Sequence, residues 1–472
     1  MEAKVKAERL YGEGYLEERK LIPRWPAPWP QIVNLLFMLA IFYVTWWIFQ
    51  DRRGWLRMYT PYLGYMYTRW ILIVLIWMVY IFEFWPFRRR QVETWHPVVK
   101  GFVMTCVMTG VLLILIKVFF EGILGNFSMA YFNPARSMKL PGITEFFAVE
   151  YASLACLMFA AIASWLSPSW PIALENAPWK DLKQPVLGWT VLLVTFFIGT
   201  IVYLCTMHPH MGILSYPWQR FTSIAPPYWE KFANTVSGNF HVSWIMCCTI
   251  TVWLTETIWE RYPFKMIKHD TLRRLAAFFG IIAIAWCFFL FLHFAQELWW
   301  GPAIRGTRMD FSPDWRWLHV GETMVFFLLP ALFLTFYCNN WPRKFSIPVN
   351  WLIRTLIAIF GGMVVYWLYY NIGHLTLGTQ KGYAQPEQFP MIPTIWLINI
   401  MLINHWFMDN WPGWRKAKPG EVVAVAEKGE EKVSASKLSS TGVAVGIIVG
   451  ILIYFITIWL LPILSKLKWI YT

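Results

Sequence analysis

The chain has 472 residues, of which 57% are hydrophobic, 19% aromatic and only 14% charged. A soluble domain carries roughly 25% charged residues, so this composition excludes an ordinary water-facing surface and points to a membrane protein. The net charge of +14 is spread through short segments between apolar runs, with no separate basic module. That pattern suits anionic lipid headgroups and argues against a nucleic-acid partner.

Residues 1–30 form a polar segment without the apolar core of a cleaved signal, and are expected to stay on the side where they are made. Apolar runs long enough to cross about 30 Å of hydrocarbon follow near 31–50, 64–85, 98–120, 144–169, 187–207, 233–259, 273–299, 318–339, 351–373, 391–410 and 442–464. The expected fold is therefore an all-α integral membrane protein of about eleven transmembrane helices. Residues 31–412 make a membrane domain of five tandem helical hairpins, 413–441 a polar linker, and 442–472 a C-terminal transmembrane helix.

The hairpins are read from a repeat, because an aromatic–proline pair closes every second span: Trp85-Pro86, Trp170-Pro171, Tyr262-Pro263, Trp341-Pro342 and Trp411-Pro412. Trp29-Pro30 stands just before the first span. Proline stops a helix and the ring anchors it at the bilayer interface, a preference the 32 tryptophans share. The compact loops at 86–97, 171–187, 261–275 and 341–354 hold 13 Lys and Arg, against 11 in the longer loops at 51–63, 122–142, 208–232, 300–316 and 375–390. By the positive-inside rule the aromatic–proline side and the N-terminus are cytoplasmic, in a plasma (inner) membrane.

The seven cysteines sit almost entirely in apolar runs, and none forms a CxxC or a zinc-spaced Cys/His cluster, which speaks against iron–sulfur or structural zinc sites. In the last span Gly442, Gly446 and Gly450 recur every four residues, a flat stripe on which another helix can dock closely.

Polar residues inside the spans carry the functional signal, since charge in lipid is costly. Glu150, His241 and Glu322 lie 20–22 residues before their closing prolines, and so near the outer interface in equivalent places. At the same end stand Glu121, His208, His210, His293, Glu297, His319 and His374. His293 and Glu297, four apart, share a helix face. Such a belt of six histidines and several glutamates is what a haem, quinone or His-ligated metal site requires, because imidazole ligates metals and moves protons near neutral pH. Polar residues also collect at helix ends without any site. Nearer the cytoplasm, Glu256 and His405 are both seven residues before their prolines, and Lys117 lies one turn before Glu121. These, with Glu121, Glu150, Glu297 and Glu322, either form a proton route between faces or are internal pairs that fix helix packing.

Asn126-Phe127-Ser128 fits a glycosylation sequon and Asn133-Pro134-Ala135 resembles the aquaporin pore triplet in a single copy, but no P-loop, nucleophile elbow or Rossmann glycine pattern occurs. The leading expectation is a membrane subunit of a larger redox or energy-transducing complex, active in electron transport. Its outer-face His/Glu belt contacts a cofactor, a quinol or an extracytoplasmic protein subunit. A secondary transporter or proton-coupled carrier is the alternative, and a metal-dependent membrane enzyme acting on lipid a weaker one.

Overall fold

The period of the apolar runs is realised as ten long helices, since a chain segment surrounded by lipid must satisfy its backbone hydrogen bonds internally. The computed structural model describes residues 21–60, 62–87, 92, 94–127, 130–139, 141–208, 238–300, 313–378 and 391–417. In chain order the helices are α1 (Trp29–Phe49), α2 (Leu63–Ile76, continued by a π-helical turn Trp77–Ile81), α3 (Pro97–Leu113, continued by Ile114–Leu124), α4 (Glu145–Ile172) and α5 (Val186–Thr206). They continue with α6 (Gly238–Glu256), α7 (Asp270–Trp300), α8 (Pro313–Cys338), α9 (Ile347–Leu368, continued by Tyr369–Gly373) and α10 (Met391–Trp406). Prolines open α1, α3 and α9, where a missing N–H costs nothing. Eight of these helices are long and apolar enough to cross a membrane. The eleventh span, and with it the glycine stripe at 442, 446 and 450, lies outside the described residues.

The two helices of each hairpin have different surroundings. In the apolar stretches of α1, α3, α5, α7 and α9 only 22–33% of residues are buried, against 83% in α2, α4 and α8. The even-numbered helices pack side by side in the order α2, α4, α6, α8, α10 and back to α2, forming a closed inner ring. Each odd-numbered helix leans on the inner helix of the preceding hairpin: α3 on α2, α5 on α4, α7 on α6, α9 on α8 and α1 on α10. Their outward faces carry Leu36, Phe102, Leu193, Phe197, Phe279 and Phe360, all exposed. Water would not tolerate so much apolar surface, so this face meets lipid and the protein is an integral membrane protein.

The turns that end the inner helices are the same in all five hairpins. Two successive residues adopt the left-handed conformation: Glu83/Phe84, Glu175/Asn176, Glu260/Arg261, Asn339/Asn340 and Asp409/Asn410. The second of each pair donates its N–H to a carbonyl six residues back (Met78, Trp170, Thr255, Leu334 and Asn404, at 2.7–3.1 Å). The reversal satisfies a carbonyl that the helix end would otherwise leave bare. A cis proline follows each pair: Pro86, Pro178, Pro263, Pro342 and Pro412.

This corrects the second member of the repeat. Pro171 lies inside α4, and the equivalent closing pair is Ala177-Pro178. The local aromatic–proline signal was satisfied by a helix that simply runs on for another turn. Glu150 consequently stands 28 residues before its closing proline, and its equivalence to Glu322 does not hold.

The ring axis shows the repeat most clearly. Leu72, Ser164, Thr249, Leu328 and Ile398, each fourteen residues before Pro86, Pro178, Pro263, Pro342 or Pro412, line one small cavity of about 20 Å³. One turn away the same cavity is bounded by Arg69, Met246, Val325 and Ile395. Toward the aromatic–proline end, the buried rings of Tyr80, Trp253 and Trp406 pack against one another at 5.5–6.2 Å, so the axis is filled with side chains.

The ring is closed by contacts between the first and last hairpins. A short strand, β1 (Leu21–Pro23), pairs antiparallel with β2 (Trp414–Lys416), with Leu21 opposite Lys416. Asn34 on α1 donates to Asn404 Oδ1 and to the Asn410 carbonyl, and accepts from the N–H of Gly413 at 2.6 Å.

Candidate functional site

The two ends of the ring treat their polar residues differently. At the aromatic–proline end, the residue seven before each closing proline bonds the residue two before it in the last three hairpins. Arg261 donates to Glu256 at 2.6 and 3.1 Å, Thr335 to Asn340 at 2.9 Å, and His405 Nδ1 lies 2.8 Å from Asn410 Oδ1. Asn340 and Asn410 reach on to the carbonyls of Thr257 and Phe336, each six residues before the closing proline of the preceding hairpin. His405, through Asn410, is therefore part of a clasp between neighbouring hairpins, whereas the Glu256–Arg261 pair lies within one hairpin. His405 also stacks on Phe336, centroids 3.9 Å apart. Lys100 and Asp409 add a buried ion pair at 2.7 Å.

The opposite, distal end gathers a different set on α6, α7 and α8. His319 and Glu322, three apart on α8, share a face and meet with Nδ1 and Oε2 2.5 Å apart. Both are almost wholly buried, and Glu322 Oε1 has no hydrogen-bond partner among the described residues. Glycine at 321 lets α8 approach α6, its N–H donating to Ser243 Oγ at 2.7 Å where a Cβ would meet that oxygen at 2.9 Å. On α7, His293 Nδ1 and both polar atoms of the Gln296 side chain are buried without a partner, as is Asn239 Oδ1 on α6. Arg316 is buried and donates to the Gln296 carbonyl at 3.0 Å. Buried polar groups are nearly always bonded, so four orphaned side chains in one region ask for a ligand.

A column of rings runs beside this cluster. Trp286 stacks on Phe289 at 5.7 Å, Phe289 on Trp317 at 5.6 Å, and Trp317 on His293 at 3.9 Å, while Phe240 meets the first three edge-on. His293 Nε2 lies 3.6 Å from Glu297, an ion-pair distance too long for a hydrogen bond. Nearer the axis, Arg69 on α2 is 95% buried and donates to Tyr65 Oη at 3.0 Å and Ser164 Oγ at 2.9 Å. Tyr65 lies within electrostatic reach of both Arg69 and Glu322.

The expected belt is thus divided. His319 pairs with Glu322, His293 stacks on Trp317 two residues before His319 on the same helix, and His241 meets Phe240 at the edge of the ring column. His208 packs between Tyr131 and Tyr203, and His374 opens the turn His374–Leu377 that follows α9, its Nδ1 buried without a partner among the described residues. His210 lies outside the described residues. Glu150 accepts from Thr60 Oγ1 at 2.7 Å and from the Tyr62 N–H at 2.9 Å, so it fastens the loop that enters α2. Lys117 and Glu121 pair at 2.6 Å on the outward side of α3. Among the described residues no three His, Cys, Asp or Glu side chains converge as a metal site would require.

Sequence reasoning passed over Arg69, Tyr65, Gln296, Arg316, Asn239 and Ser243. Arg69 carried a readable signal, a charge well inside the second span. The others are small or near helix ends, and only the ring brings them to the same place. The chain matches no protein-family model, no curated protein and no solved structure.

Proposed function

We propose that this protein is the membrane-embedded subunit of a larger redox or energy-transducing complex, and that its distal cluster is a quinol site at the extracytoplasmic face. The observation that supports this reading is the buried His319–Glu322 pair with one free carboxylate oxygen, set beside the ring column that ends in His293. A quinol is a flat ring with two hydroxyl donors, and oxidation releases two protons and two electrons. Within the column Phe289 and Trp317 are covered on both faces, so such a ring packs at its open end, beside His293. His293 Nδ1 and Glu322 Oε1 are acceptors of the type its hydroxyls need, and an imidazole or carboxylate there takes up the protons. The electrons pass to a redox partner outside this chain. The filled axis directs the released protons back toward the distal face.

The basic loops at the aromatic–proline end put that end in the cytoplasm. Titrating the purified protein with a short-chain benzoquinol, read by tryptophan fluorescence, tests the site. Glu322→Gln and His293→Ala should each weaken binding at least tenfold. His96→Ala, which removes a distant helix cap on Val98 and a ring contact with Trp411, should leave it unchanged. Equal binding by all four proteins would overturn the quinol reading.

A further inference from the structure

Helix α3 keeps two features that the ten described helices leave without purpose. Lys117 and Glu121 form an ion pair seven and three residues before the end of the apolar, outward-facing α3, with their side chains 58% and 24% exposed. Charges inside a membrane span normally face protein. Two turns nearer the aromatic–proline end is Gly110, around which the described residues leave open space. Glycines elsewhere on this lipid-facing shell have a side chain to make room for: Gly101 meets Met408, Gly188 meets Phe82, Gly280 meets Phe264, and Gly362 meets Phe327, while Gly122 near the end of α3 meets only that helix's own Lys117 carbonyl. Exposed Cys106, Gly110 and Leu113 recur at spacings of four and three, so they share one face.

The described chain ends at the foot of this helix. Lys416 and Lys100, the latter in the first turn of α3, both pair with Asp409, at 3.7 and 2.7 Å. Beyond residue 417 the sequence continues through 24 mostly polar residues (418–441) to the uncharged run 442–464. Twenty-four residues reach about 27 Å even at random-coil dimensions, ample for the adjacent face. Helix α3 starts at this same end of the ring, so a span entered from here would run parallel to it.

We propose that the segment 442–464 docks on the Cys106–Gly110–Leu113 face of α3 as an eleventh helix, glycine against glycine. The four-residue spacing of Gly446 and Gly450 matches that of Cys106 and Gly110, so both backbones approach closely. In that register Thr457, seven residues after Gly450, comes level with Lys117, seven after Gly110. Apart from Tyr454 it is the segment's one hydroxyl, and it gives the exposed ion pair a polar neighbour in place of lipid. The inference stands independently of the quinol reading, because α3 takes no part in the distal cluster.

Native cysteines make the test direct. In the full-length protein in membranes, Gly446→Cys and Gly450→Cys are oxidised with copper phenanthroline, and the cross-linked peptides are identified by mass spectrometry. Cys106 on α3, Cys205 on α5 and Cys287 on α7 are all exposed and compete for the new thiol. An intrachain link to Cys106 should exceed links to Cys205 and Cys287 at least tenfold. Adding Gly110→Leu should cut its yield at least fivefold. As a second measurement, Gly446→Leu should raise the labelling rate of Cys106 by a membrane-permeant maleimide at least fivefold in the otherwise unchanged chain. Predominant links to Cys205 or Cys287, links between two copies, no link at all, or an unaltered Cys106 labelling rate would each overturn the proposal.

Discussion

The two ends of the helical ring are built from similar residue types and put to different use. At the aromatic–proline end, acids, amides and a histidine are answered within the fold: Glu256 by Arg261, Asn340 by Thr335 and the Thr257 carbonyl, Asp409 by Lys100. At the distal end Glu322, His293, Gln296 and Asn239 keep buried polar atoms without partners. Asn176 Oδ1 and Gln31 Oε1 at the aromatic–proline end are likewise without a partner among the described residues, so what sets the distal end apart is that an acid and a histidine, the groups able to take up protons, are among those left open.

The comparison breaks most sharply at Asp409. Asp409→Ala leaves Lys100 charged and buried, and should cost about 3–5 kcal/mol in unfolding free energy in detergent. Loss of under about 1 kcal/mol would show that this end is not held by its polar pairs. Asn340→Ala removes one side chain that serves two hairpins, and an expected loss of about 1–3 kcal/mol can be read from the same denaturation curves. Glu322→Gln is the counterpart at the distal end. It preserves shape while removing a charge the fold does not fully answer, so stability should change by less than about 1 kcal/mol while quinol binding falls. A large destabilisation there would make the two ends alike.

The smallest effect is a pH dependence at the loop after α4. Burial raises the Glu175 carboxyl's pKa, but hydrogen bonds and charge from Arg273 and Arg274 outweigh it and hold the group below the usual glutamate value of 4.5. A depressed carboxyl contributes stability above its unfolded value, and that contribution is lost as pH falls through the folded one. The pair is partly exposed, so the contribution is under about 1 kcal/mol. Thermal melts of wild type and Glu175→Gln should therefore diverge near neutral pH and converge below about pH 4. A gap that persists in acid would assign the effect to something other than this ion pair.

By itself the sequence determined that the chain spans a membrane, that it does so as tandem hairpins, and roughly where each helix lies. Those properties follow from local physics, since unbroken apolar runs have one stable form in lipid and proline marks where a helix cannot continue. It also brought forward Glu256 and His405 by their common distance from a closing proline, and each of them bonds the residue five after it, Arg261 and Asn410. The second hairpin shows the limit of local signals. Trp170-Pro171 has the right composition and the wrong place, because α4 absorbs Pro171 and the left-handed pair that ends it, Glu175 and Asn176, has no distinctive sequence. Tertiary structure alone decided that even-numbered helices form the inner ring and odd-numbered ones face lipid, because the hydropathy of both kinds is high and burial depends on neighbours. It also decided which of the distal polar residues meet. His319 meets Glu322 and His293 reaches Trp317 on the same helix, while His208 packs elsewhere against Tyr131 and Tyr203, since a ring of five hairpins brings only adjacent helices within reach.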